Sequence, residues 1–193
     1  MDGVVRTTVG YAGGTTPHPT YQEIGDHTES IEIEFDLERV SYRDLLEEFW
    51  RGHDPTRVVY SMQYRSAIFY RGPEQQRAAI LSRERSERAC GCRIETALEA
   101  AGPFTRAEDY HQKYRLRADR VLFHEFREML GDGREFADST AVARVNGFLD
   151  GFGGPDALGR VEDRLGLSSD GARHLRAAVA AMSSPSPART GPE

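Results

Sequence analysis

The chain has 193 residues, long enough to bury a core and short enough for one domain with an appendage. Its 31 acidic and 25 basic side chains leave a formal net charge of −6, which argues against non-specific binding to nucleic acid or to an anionic membrane. The longest apolar run, Ala177 to Met182, is far too short to span a bilayer, no export signal opens the chain, and two cysteines make no secreted disulfide framework. A reducing, cytoplasmic setting is expected.

Val4 to Tyr11 alternates with period two, with Val5, Thr7, Val9 and Tyr11 on one face, and predicts a half-buried strand. Gly13-Gly14, Pro17 and Pro19 turn the following stretch into a loop. A second strand follows, with Glu29, Ile31, Ile33 and Phe35 facing the core. Ser41 and Asp44 have the spacing of a helix N-cap and its capping-box partner, Leu45, Leu46, Phe49 and Trp50 form the apolar stripe, and Gly52 ends the helix. Ser66 to Tyr70 predicts a short central strand covered on both faces, Glu74 to Arg88 a helix, and Arg93 to Ala100 a weak strand. Alternating strands and helices give an α/β (or α+β) two-layer sandwich with a mixed sheet. Three segments are expected: a core over residues 1–115, a helical extension over 116–182 and a disordered Ser/Pro-rich tail over 183–193.

Glu29 is the most informative single residue. Strand parity places it at the edge of an apolar face, where lost hydration would raise its pKa and equip it as a general acid. The alternative is a salt-bridged carboxylate at a strand end. Tyr11 shares the inward parity, and Tyr64 heads the next strand, so two hydroxyls and a carboxyl can form a small polar pocket with apolar walls. His27, Glu29 and His53 offer a metal-dependent hydrolase as a competing arrangement, although their spacing matches no strong metal motif and hydrogen-bonding roles are preferred. Cys90 and Cys92 are read as unremarkable thiols, with a strained disulfide or a redox switch as alternatives.

The segments GVVRTTVGYAGG, PTYQEIGDHTESIEIEFD, FWRGHDPT, QYRSAIFY and AGPFTRAEDYHQKY occur in an order that resembles the class A peptide methionine sulfoxide reductases, from about Gly3 to Tyr114. The resemblance implies a ferredoxin-like core of that family's type and reduction of methionine-S-sulfoxide, free or in proteins, by a soluble monomer involved in protein repair. It implies that a cysteine thiolate attacks the sulfoxide sulfur, that Glu29 protonates the oxygen and that the hydroxyls of Tyr11 and Tyr64 hold it. His53, Asp54 and His111 become candidates for binding substrate. No cofactor is implied, and thioredoxin or another dithiol restores the thiol.

Two departures stand beside the resemblance. The family's nucleophile lies in a Gly-Cys-Phe-Trp motif upstream of GVV, and this chain reads Met1-Asp2-Gly3-Val4 there. The expected explanations are a start that lies upstream, or a nucleophile encoded as selenocysteine. The alternative is a catalytically inactive sulfoxide-binding module. The absent segment would also supply a central strand, leaving an unpaired edge. The second departure is the lack of an acidic segment before QYR.

Overall fold

The computed structural model describes residues 1–183, so the expected disordered tail beyond Ser183 lies outside the described residues. Two units are present, Met1–Glu108 and a second beginning at Asp109.

In the first unit, β1 (Val4–Ala12) pairs antiparallel with β2 (Thr28–Phe35) along almost its whole length, with Tyr11 opposite Glu29. Its other edge carries the short β5 (Thr105–Arg106), giving the order β2-β1-β5. Gly10 makes this second pairing possible, since a Cβ there would stand 2.4 Å from the Phe104 ring. α1 (Tyr42–Arg51) starts as its sequence predicts. The Ser41 hydroxyl accepts from the Asp44 N–H, the Asp44 carboxylate accepts from the Ser41 N–H, and Gly52 closes the helix.

The strand β3 (Ala67–Tyr70) and the strand β4 (Ala97–Ala100) run parallel, joined by α2 (Gly72–Cys90). α1 and α2 pack against this pair. Leu46, Ile68 and Ala79 are buried there, flanked by Phe49, Trp50 and Leu98. The two-layer α/β arrangement has both antiparallel and parallel pairing, held in two small sheets.

Burial departs from the expected alternation. On β1 it increases along the strand toward Tyr11 and Ala12, while Val5 is exposed. On β2, Ile31 is 57% exposed although it shares the face expected to meet a core. The reason is position: β2 is an edge strand, and its free side opens on a cleft. β3 is likewise not central, since among the described residues it pairs with β4 alone.

The second unit is helical: α3 (Tyr114–Ala118), α4 (Arg120–Leu130), α5 (Arg134–Asp138), α6 (Thr140–Phe148), α7 (Gly154–Gly159) and α8 (Ser169–Ser183). It has its own apolar core, in which Leu116, Leu122, Phe126, Phe136, Val145 and Leu175 are buried. Asp119 caps α4 and also receives the His174 ring at 2.9 Å.

Candidate active site

The cleft has a volume of about 630 Å³ and is bordered by β2, β3 and α1. Glu29, Arg65 and His53 bring polar groups to it, and Phe35, Phe49 and Phe69 give it apolar walls. β2 and β3 both border it, and among the described residues each has an edge without a strand partner.

Glu29 stands at the start of β2, half-buried, with its backbone N–H donating to the Gln63 carbonyl at 2.9 Å. The Gln63 side-chain amide returns the contact, donating to Glu29 Oε1 at 2.6 Å. Glu29 is therefore held by a hydrogen-bond donor, not simply pressed into an apolar face as strand parity suggested. Tyr11 lies directly across from it on β1, so the two side chains leave the sheet on one face. Tyr11 is only 1% exposed, and its hydroxyl donates to Glu108 Oε2 at 2.7 Å.

Tyr64 is more than half exposed. Its hydrogen bond with Tyr21 above all, and then lost hydration, push its pKa above the ordinary tyrosine value, so the hydroxyl stays protonated and able to donate. Glu108 serves Tyr11 and Tyr21, because its Oε1 also accepts from the Tyr21 backbone N–H at 3.2 Å.

The loop between β1 and β2 is pinned by Asp26. Its carboxylate accepts from the N–H groups and hydroxyls of Thr15 and Thr16 at 2.7–2.9 Å. These bonds, those of Thr16 foremost, lower the Asp26 pKa far below the usual carboxylate range. The buried His27 adds to the same anchor, its Nε2 meeting the Thr16 carbonyl at 2.9 Å. Gly13 adopts φ +76°, and a Cβ there would lie 2.5 Å from the Phe69 ring, so the loop passes close over the cleft wall only as glycine.

Arg65 ties the sheets together. Its Nε donates to the Thr28 hydroxyl and its Nη2 to Glu99 Oε2, both at 2.8 Å.

The other expected site residues divide. His53 lines the cleft, but its Nδ1 meets the Phe49 carbonyl at 2.7 Å and its ring packs on Phe49 and Trp50. Asp54 does not line the cleft. It accepts from the Thr56 hydroxyl and N–H, which hold its pKa below the ordinary value. His111 belongs to the second unit, in the turn Asp109–His111, with its ring against Tyr110. The metal alternative gains nothing from this geometry. His27 and His53 are each engaged with a backbone carbonyl, and no three ligating side chains cluster among the described residues.

Cys90 and Cys92 are not the unremarkable thiols expected. They form a disulfide, their Cα atoms 5.2 Å apart, because Gly91 takes φ 64° and turns the chain back at the end of α2. Neither lines the cleft.

Four residues with evident structural roles here were not singled out from the sequence: Tyr21, Gln63, Arg65 and Glu108. Gln63 and Arg65 flank Tyr64 in the quoted QYR motif, and Glu108 lies in AEDYHQKY, so the motifs were in view without the individual roles.

The family model described as Peptide methionine sulfoxide reductase matches residues 1–131. A peptide methionine sulfoxide reductase of Methanothermobacter thermautotrophicus is 48% identical over 125 residues, covering 59% of this chain and 74% of that protein. One from Drosophila melanogaster is 38% identical over 169 residues, covering 86% of this chain and 67% of its own length. Among solved structures, methionine sulfoxide reductase A of Corynebacterium diphtheriae superposes with a TM-score of 0.52 at 38% identity, over 61% of this chain and 65% of that one. Reduced Mxr1 from Saccharomyces cerevisiae gives 0.58 at 26% identity, over 62% and 74%. The chain belongs to the peptide methionine sulfoxide reductase family, a family of oxidoreductases whose substrate is methionine sulfoxide.

Proposed function

We propose that this chain reduces methionine-S-sulfoxide to methionine at the cleft beside Glu29. The observation that carries the reading is the register of β1 and β2, which sets Tyr11 opposite Glu29, with Gln63 bonded to that carboxyl and Tyr64 next to it in sequence. A sulfoxide is a strong hydrogen-bond acceptor on a largely apolar chain. The carboxyl of Glu29, set against the aromatic walls of the cleft, suits both halves of it, whereas Tyr11 and Tyr64 do not line the cleft itself.

In this reading protonated Glu29 donates to the sulfoxide oxygen as a thiolate attacks the sulfur. Gln63 orients the carboxyl. Tyr64, kept protonated, donates to the same oxygen, and Tyr11 stiffens the strand opposite. The overall step consumes two thiols: sulfoxide and two thiols give thioether, disulfide and water. The chain's two cysteines are bonded to one another away from the cleft lining, so the attacking thiolate is one that these residues do not place there. Thioredoxin or a small dithiol is the proposed source of electrons, and the working form is a monomer. The purely binding module has no support among relatives named as reductases.

The test has two parts. Titration of the 193-residue chain with methionine-S-sulfoxide, followed by NMR, should shift resonances of Glu29, Gln63 and Tyr64, whereas no response at millimolar ligand would overturn the site. Turnover with dithiothreitol should then appear in a protein that carries a thiolate in the cleft.

A further inference from the structure

We propose that Cys90–Cys92 is a thiol–disulfide exchange site, reduced by a dithiol protein of the thioredoxin type. The inference stands independently of the reaction at the cleft. It begins with what the bond does not do. It encloses a single residue, Gly91, so it restricts the unfolded chain far less than a bond closing a long loop. It connects no two elements, because both sulfurs belong to the last turn of α2 and the residues just beyond.

The backbone of this turn is also held without the sulfurs. The Gly91 and Cys92 N–H groups both donate to the Glu87 carbonyl, at 2.9 and 3.3 Å, and the Ile94 N–H donates to the Glu87 carboxylate at 3.3 Å. Gly91 supplies the left-handed turn on its own account. Opening the disulfide therefore leaves α2 and its exit in place, with two thiols still facing each other across one residue. Such a pair passes between its two states with little cost to the fold.

Access favours the same reading. Cys90 is exposed and Cys92 partly so, which leaves the Cys90 sulfur open to an incoming thiolate. Attack there forms a mixed disulfide and breaks the Cys90–Cys92 bond, and the electron pair leaves on the Cys92 sulfur, which takes a proton from water. The second thiolate of the reductant then attacks its own sulfur in the mixed disulfide, closes its own disulfide and releases Cys90, which is protonated in turn. Two electrons and two protons pass from the dithiol to the chain.

The pair also lies close in sequence to the cleft. Three residues separate Cys92 from Thr96, whose hydroxyl stands 3.4 Å from the Nε2 of the cleft residue His53, and the Pro55 carbonyl accepts from the Glu95 N–H at 3.1 Å. The loop that leads away from the disulfide thus packs on the loop that follows α1.

The test is carried out on the oxidised 193-residue chain with reduced thioredoxin as the probe. At equal concentrations, alkylation and intact mass should find two labels on more than about half of the chains within minutes. The reduced chain should melt within about 5 °C of the oxidised one. The oxidised native chain should be captured as a mixed disulfide by thioredoxin lacking its resolving cysteine, with peptide mass mapping placing the link on Cys90 rather than Cys92. A bond that yields only after denaturation, a melt that falls by more than that margin, or two labels taken up before any reductant is added would each overturn the proposal.

Discussion

The Tyr11 hydroxyl donates to Glu108 across 97 positions of sequence, at 2.7 Å, joining the end of β1 to the segment after β5. The same carboxylate accepts from the Tyr21 N–H, so one acidic side chain fixes two tyrosines. A hydrogen bond to a charged acceptor contributes about 1.5–3 kcal/mol. Tyr11→Phe should therefore lower unfolding free energy by about 1–3 kcal/mol, and Glu108→Gln by a comparable amount. A double-mutant cycle read by urea unfolding checks this, and independent, additive effects would show that the contact contributes nothing.

Glu29 is proposed as the proton donor, and its replacement should affect rate before binding. In a protein that carries the cleft thiolate, Glu29→Gln should lower turnover by on the order of 10²–10⁴ while KM changes little. Gln63→Ala should produce a smaller loss of turnover, because the amide that bonds and orients Glu29 Oε1 is removed. Steady-state kinetics across pH would decide, and an unchanged rate for Glu29→Gln would remove it from the mechanism.

Asp26 makes acid stability a local matter. Its folded pKa lies below the unfolded carboxylate value of about 3.9, so its stabilisation is complete above that pH and is lost as pH falls through the depressed folded value. Asp44 and Asp54 are lowered in the same direction by Ser41 and Thr56. The melting-temperature gap between the native chain and Asp26→Ala should be constant from about pH 5 to 7 and narrow progressively below about pH 4. A gap that widens on acidification would reverse the sign of this argument.

Arg65 is a planar connector that an ammonium cannot replace. One guanidinium spans Thr28 of β2 and Glu99 of β4, with both nitrogen arms on the Glu99 carboxylate. Arg65→Lys keeps the charge but loses the fork, and should destabilise by about 1–3 kcal/mol. Unfolding of Arg65→Lys and Arg65→Ala side by side checks it, since equal losses for both would confirm that geometry outweighs charge.

The helical unit can be probed in its own core. Leu122 is fully buried among the residues of that unit, and Leu122→Ala should cost about 2–5 kcal/mol in transfer and cavity terms. Hydrogen exchange should then accelerate at α4, α6 and α8. Protection lost first in β1 and β2 would contradict the placement of this core.

Local elements were legible in the sequence because local chemistry dictates them. The capping box of Ser41 and Asp44, the stop at Gly52 and the strand β2 each depend on residues within a few positions, and each appears in the structure, although burial along β2 does not alternate. The order of motifs was enough to indicate the family, since it needs no contacts to be read. Tertiary structure alone decided which groups meet. Ile31 shares a face with Ile33, as parity requires, yet that face looks into a cleft because β2 is an edge strand, and periodicity specifies faces without specifying neighbours. The approach of Gln63 to Glu29, of Glu108 to Tyr11 and of Arg65 to Glu99 spans 34, 97 and 34 positions, far beyond any local pattern. The pairing of Cys90 with Cys92 needed the left-handed turn at Gly91, a conformation the sequence permits but does not impose.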